Sequence, residues 1–321
     1  MYKWTIGLLS PSAPAILVFG LISNMINIAV FLKAGVKDNV TTLLLSLAVS
    51  DLVFLILITP SACTLVILHF DRTWSWPFDH KFIYFLPYWP AFTAYDISAF
   101  ISVSLGVMRC ACVAMPLKFK LVFTKARTVR IVLVLGILAV SLRVPVLTIF
   151  RIAFKTDPLT NVSTPYVAAV NRQAMSRIND VMNRGVIIWI NYTIMISCVG
   201  VLSFKLAQAS RIRQSITADC DQVSEKAAGG RLSPKDLQVI KAVVLVCSIF
   251  ILSQLPFLVY STNRFANPEF TSTNKKFQDL FGFFSTLSRI CSYLNASLNI
   301  FVYYHYNSKY RSVFLSLLRL K

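Results

Sequence analysis

Four ionisable side chains stand inside long apolar stretches of this 321-residue chain: Asp51, Asp96, Arg143 and Arg289. A charge at membrane depth is costly, so such residues face a bundle interior, where they pair with one another or meet a ligand. Both readings stay open for Asp96, Arg143 and Arg289. Other chemistries find little support. The histidines His69, His80 and His305 are scattered. The seven cysteines are Cys63, Cys110, Cys112, Cys198, Cys220, Cys247 and Cys291, and none forms a short-spaced set with histidine. No zinc site and no catalytic group is therefore expected.

The elements that must position these charges follow from composition. The chain is 56% apolar and 14% charged, against about 25% charged for a soluble domain. Seven segments hold the roughly 20 apolar residues that a crossing needs: about 8–32, 41–69, 83–114, 128–150, 185–209, 237–261 and 279–304. Each must be helical, because lipid offers the backbone no partners. The expected fold is a single all-α, seven-transmembrane helix bundle over residues 1–321. It closes with an amphipathic interfacial helix at about 306–319, with Tyr310, Val313, Phe314 and Leu317 on one face. Residues 1–10 lack a cleavable-signal pattern, so the first apolar run reads as an uncleaved anchor.

The net charge of +19 does not point to nucleic acid. The basic residues lie in short clusters between apolar runs, which suits membrane lipid and a cytoplasmic partner. With the N-terminus outside, the inner segments hold 19 of the 32 lysines and arginines, and the outer side is also basic. That bias predicts a multi-pass protein with its C-terminus in the cytoplasm. The triplet Asn161-Val162-Ser163 then falls outside as a glycosylation candidate. Asn191-Tyr192-Thr193 would be inert within a helix, and Asn39-Val40-Thr41 inert on the inner side.

The third segment has a coherent inner face. Ala91, Tyr95, Ser98, Ser102, Leu105 and Arg109 recur at alternating steps of three and four. Around it stand further fixed points: Gly20 and Asn24 in the first segment, and Leu47-Ala48-Val49-Ser50-Asp51 in the second. Met108-Arg109-Cys110 closes the third segment, before Pro116-Leu117. Phe250 through Gln254 to Pro256-Phe257 follows in the sixth, and Asn295-Ala296-Ser297-Leu298-Asn299-Ile300-Phe301-Val302-Tyr303 in the seventh. In order and spacing, these strings resemble the rhodopsin-like G-protein-coupled receptors along nearly the whole chain. Within that family, the Phe31–Asp51 string and Asn299-Ile300 look most like invertebrate neuropeptide and molluscan chemosensory receptors.

The departures from the family pattern are also specific. Met108 replaces an acid, Gln254 a tryptophan and Ile300 a proline; the fifth segment has no proline. The outer end of the third segment around Ile83 and Tyr84 lacks its cysteine, and the 151–184 loop has none to pair with. No native disulfide is expected, which puts a rigid outer lid in doubt. Retinal is excluded, since residues 280–304 contain no lysine.

The resemblance implies a plasma-membrane receptor that binds an extracellular ligand (a peptide or small chemosensory molecule) and activates a heterotrimeric G protein. Its pocket would be lined by Tyr88, Ala91, Phe92, Tyr95, Asp96, Gln254, Ser285 and Arg289. With no acid at Ala91 and with Arg289 nearby, an acidic ligand fits better than an amine, unless Arg289 simply pairs with Asp96. The coupling machinery would comprise Arg109, Met108, Asp236, Asn299, Tyr303, Pro256 and Phe250. Asp51, Ser98, Asn295 and Asn299 match the positions that surround a sodium ion, although a hydrogen-bonded network without an ion is the alternative. No other cofactor is expected. Two other readings remain: a ligand-binding bundle that does not couple to G protein, and a transporter. The second is the weaker, since neither repeats nor paired broken helices are visible.

Overall fold

A chain that crosses lipid satisfies its backbone within each crossing, and here it does so as helices. The computed structural model describes residues 2–71, 79–115, 119, 122–156, 161, 163–218, 234–267, 269–271 and 274–318; the side chains of 2–10, 69, 209–218, 234–239 and 242 lie outside that description. The first crossing is Tyr2–Ala34 and the second Asn39–Phe70, whose start is capped by Asp38 accepting from Thr41 N. A short helix, Lys81–Phe85, precedes the third crossing, Tyr88–Ala114. The fourth is Lys125–Leu147 and the fifth Ile188–Ala218. The sixth is Pro234–Ala266, and the seventh is split into Gln278–Ser297 and Asn299–Tyr306. The last helix, Ser308–Leu318, packs back against the first crossing.

Six of these helices are long and apolar enough to span a membrane by length and composition alone. The split seventh is shorter and richer in serine and asparagine. The third crossing is the hub, in contact with the second, fourth, fifth and sixth. Its predicted inner face is real: Ala91, Tyr95, Ser98, Ser102 and Leu105 are all buried. Outward stripes stay apolar, as lipid demands. Leu133, Val134 and Ile137 on the fourth crossing are 61%, 62% and 68% exposed.

The interior divides into two apolar clusters. Phe31, Leu47, Leu105, Met108, Phe250 and Tyr303 belong to the one nearer the C-terminal helix. Leu17, Phe54, Ile58, Ala91, Tyr95 and Tyr293 belong to the outer one. Asp51, Ser98, Asn295 and Asn299 are buried polar residues on the helices that connect the two.

The outer loop departs from expectation. Residues 151–184, read as an irregular loop without a tether, contain an antiparallel hairpin, β1 (Phe150–Thr156) and β2 (Ser163–Ala169), in continuous register from Phe150↔Ala169 to Thr156↔Ser163. A helix, Arg172–Asn179, and a π-helical segment, Asp180–Ile187, then lead into the fifth crossing. The hairpin is held without a disulfide: Phe150 stacks on Phe85, ring centroids 4.6 Å apart, next to the third crossing. Six cysteines are free thiols, and Cys220 lies outside the described residues. Asn161 is exposed between the two strands in a left-handed conformation (φ 54°), which asparagine tolerates better than most residues.

An aromatic pair of this kind contributes about 0.5–1.5 kcal/mol beyond simple burial. Phe150→Ala is therefore expected to speed amide exchange across residues 150–169 about twofold to tenfold, leaving the crossings unchanged. Unaltered exchange in the hairpin would show that something other than this stack holds it.

Candidate functional site

The seventh crossing breaks at Leu298 although no proline is present there. The physical cause lies in the first crossing. Asn24 Nδ2 donates to the carbonyl of Ala296 at 2.7 Å, and Ser23 Oγ to that of Ser297 at 3.1 Å. Those carbonyls would otherwise accept the amides of Ile300 and Phe301 in a regular helix; Phe301 N instead donates to Leu298 O at 3.1 Å. The close approach requires Gly20, where an added Cβ would lie 2.2 Å from Ser297 Oγ and 2.8 Å from Leu55. Ile300 in place of proline therefore does not straighten the helix.

The break leaves Asn299 aimed at the second crossing. Its Nδ2 donates to Asp51 Oδ2 at 3.0 Å, while Ser98 Oγ donates to Asp51 Oδ1 at 2.5 Å. Asp51 is fully buried, and among the described residues no cation lies within ion-pair distance of it. Asn295 is buried one helical turn before Asn299.

Above this layer opens a cavity with two adjoining lobes. The deeper has a cavity volume of about 40 Å³ and is lined by Phe92, Tyr95, Asp96, Phe250, Gln254 and Phe257, among others. The outer is of similar size, about 40 Å³, with Tyr88, Arg184, Tyr260, Ser285, Ser288 and Arg289 in its walls. Phe92, Arg143, Phe257 and Ser292 border both lobes. At the floor, Gln254 Nε2 donates to the Tyr95 hydroxyl at 2.9 Å, joining the sixth crossing to the third.

Seven of the eight expected pocket residues line these lobes. Ala91 does not: it is fully buried in the outer apolar cluster with residues of the first and second crossings. The alternative partner for Arg289 is also corrected. Asp96 is taken by Arg143, whose Nε and Nη2 bond its two carboxylate oxygens, the second at 3.0 Å. Arg143 Nη1 further donates to Asn179 Oδ1 at 3.0 Å. Arg289 Nη2 donates to the Thr286 hydroxyl at 3.2 Å, and among the described residues no carboxylate lies within ion-pair distance of it.

Sequence reasoning missed a second ionic group at the rim. Asp180 pairs with Arg184 and with Arg264, each at 2.9 Å, drawing the outer ends of the fifth and sixth crossings together. The Asp180–Arg184 spacing of four residues was the available signal, hidden because 151–184 read as a loop.

At the opposite end of the bundle from the cavity, Met108 is buried in the core and Arg109 is half-buried beside it. Tyr303 is buried against Phe31 and Tyr310, ring centroids 5.3 and 5.7 Å away. The Tyr310 hydroxyl donates to Asn27 Oδ1 at 2.6 Å, tying the last helix to the first crossing. Asp236 falls in the first turn of the sixth helix, with its side chain outside the described residues, as are Pro116 and Leu117.

A family model described as 7 transmembrane receptor (rhodopsin family) matches residues 23–303. The chain belongs to that family. No curated protein matches the receptor's sequence. Membership fits what the geometry shows at each landmark: a buried carboxylate in the second crossing, a broken seventh, a proline within the sixth and a cavity above all three.

Removing the Asn24 side chain leaves the Ala296 carbonyl without its donor. Interhelical hydrogen bonds in membranes contribute about 0.6–2 kcal/mol, so Asn24→Ala is expected to lower the thermal midpoint of purified receptor by several degrees. An unchanged midpoint would mean that the seventh crossing re-forms a regular helix at no cost.

Proposed function

We propose that this receptor resides in the plasma membrane with its N-terminus outside, binds an extracellular ligand in the two-lobed cavity, and activates a heterotrimeric G protein at its inner end. The ligand would be a peptide or a small chemosensory molecule. The observation that carries this reading is that the cavity touches the hinge. Phe250, Gln254 and Phe257 line the deeper lobe, and Pro256 lies between the last two in the same helix. Proline removes one backbone hydrogen bond and makes that point the natural bend. A ligand that competes with the Gln254–Tyr95 bond favours one bend over the other, which is the differential affinity that switching requires. Gln254 thus acts as a polar catch where most of the family places a large aromatic side chain.

The buried Asp51 layer suits a sodium ion. A buried carboxylate needs a charge partner or a proton, and Asp51, Ser98, Asn295 and Asn299 supply the oxygen atoms that a hard cation prefers. When bound, the ion would supply a positive charge that favours the state in which these helices are closest. Millimolar sodium is expected to weaken agonist binding to the parent receptor but not to Asp51→Asn. Sensitivity that survives the substitution would reduce the layer to a network of hydrogen bonds.

The inner restraint falls to Asp236. With Met108 beside Arg109, the local acid that restrains the arginine elsewhere in the family is missing. Asp236 stands twenty residues before Pro256, and a carboxylate at a helix start is also favoured by the helix dipole. A tie between Asp236 and Arg109 would contribute ~1–3 kcal/mol, so its loss raises a small active fraction roughly fivefold to a hundredfold. In nucleotide-exchange assays with purified heterotrimers at matched receptor levels, Asp236→Ala is expected to raise basal exchange and Met108→Asp to lower it. Equal basal exchange for Asp236→Ala and parent would remove the lock. Ligand binding without exchange on any heterotrimer would favour the non-coupling alternative.

A further inference from the structure

The charges around the outer lobe do not balance. Four guanidinium groups (Arg143, Arg184, Arg264 and Arg289) face two carboxylates, those of Asp96 and Asp180. Asp96 spends both oxygens on Arg143. Asp180 is divided between Arg184 and Arg264. Arg289 has no carboxylate within ion-pair distance among the described residues, only a hydroxyl. Two positive charges are therefore left over beside a cavity in the membrane. The side chain of Arg184 is 13% exposed, and its guanidinium lies over the Tyr260 ring at 5.5 Å. Water does little to compensate a charge placed this way, and a guanidinium beside such a cavity without a carboxylate of its own, as at Arg289, is costly to leave so.

Resting on the reading of this cavity as the ligand site, we infer that its ligand is a small dianion carrying two separate carboxylate groups. One group is held by Arg289 in the seventh crossing and the other by Arg184 in the π-helical segment that leads into the fifth. Arg184 and Arg289 come from different helices and both line the same lobe. Planar guanidinium groups recognise carboxylates through paired donors. Ser285 and Ser288 add hydroxyls, and Tyr88, Phe257 and Tyr260 give an aromatic wall for the connecting carbons. A monoanion would leave one guanidinium uncompensated, and an amine would add to the excess. Binding at Arg184 also draws on the charge that Arg184 shares with Asp180, and so loads the contact between the fifth and sixth crossings.

The test uses full-length receptor in nanodiscs, in a chloride-free buffer, with thermal stabilisation and calorimetry as readouts. The probes are linear dicarboxylates from three to eight carbons, the monocarboxylates of equal length, the matching diols and diamines, and sodium chloride. The expected result is a dicarboxylate length optimum that binds at least tenfold more tightly than its monocarboxylate, with diols and diamines inactive. Arg289→Gln and Arg184→Gln should each weaken that dicarboxylate roughly tenfold to a hundredfold, as loss of a charge-assisted pair implies. Each should weaken the monocarboxylate less, and Arg289→Lys should recover part of the loss. Midpoints of the unliganded variants establish that they are folded. If either variant does not fold, the charge and length series on the parent together with Arg289→Lys decides. No length optimum, equal binding of mono- and dicarboxylates, or chloride alone matching the dicarboxylates would overturn the inference. The two readings fail separately. A neutral or cationic ligand that drives nucleotide exchange in both arginine variants sinks the dianion and keeps the receptor. Dicarboxylate binding without exchange does the reverse.

Discussion

A polar group inside a helix bundle in lipid has to find its partner on another helix, and in this receptor that constraint fixes the arrangement of the first, second, third and seventh crossings. The donors Asn24 and Ser23 take up two carbonyls of the seventh crossing. The helix is then free to break at Leu298, and the break turns Asn299 toward Asp51. Asp51 in turn accepts from Ser98 on the third crossing. Four helices are therefore registered against one another by a chain of directional contacts between two apolar clusters. Apolar packing holds the bundle together but tolerates sliding. The hydrogen bonds select one register.

The same constraint explains how the receptor keeps features whose usual residues it lacks. Without a proline at position 300, side chains of a neighbouring helix unwind the seventh crossing. Without a proline in the fifth crossing, a π-helical segment still interrupts its regular winding. There Asn183 Nδ2 donates to the Leu142 carbonyl at 2.9 Å and to Asn179 Oδ1 at 3.1 Å. Without an outer disulfide, a hairpin in full register is stacked, through Phe150 and Phe85, on the short helix that precedes the third crossing. In each case a non-local contact produces the shape that a single residue or covalent bond could impose locally.

That pattern also decides what was legible in the sequence. The crossings were, because a run of apolar residues of membrane length has one satisfactory conformation; Lys125–Leu147 and Asn39–Phe70 lie within a few residues of expectation. The inner face of the third crossing was legible from its three-and-four spacing, and the Asp51 layer from the order of the motifs. The ion pairs were not. Asp96 could have been taken by Arg143 or by Arg289, and only the rotation of the fourth crossing selects Arg143. Ala91 follows the same helical spacing as Tyr95, yet it faces the first and second crossings. The hairpin was hidden because strands such as Phe150–Thr156 are too short and too mixed in polarity to stand out beside helices of thirty residues.

Polarity then follows a gradient through the molecule. At the rim, Asp180 draws the fifth and sixth crossings together through Arg184 and Arg264. At the cavity floor, Gln254 and Tyr95 join the sixth to the third by one neutral hydrogen bond. Deeper, Tyr303 and Met108 sit in a wholly apolar cluster. Among the described side chains, the ion pair on the sixth crossing lies outside Pro256, and the core contacts of Ile240, Val243, Val246 and Cys247 on its inner side are apolar. Dispersion contacts can be exchanged one side chain for another at little cost, whereas a buried ion pair resists separation. From Ile240 to Pro256 the helix is therefore packed through contacts that exchange more readily than the ion pair beyond its proline.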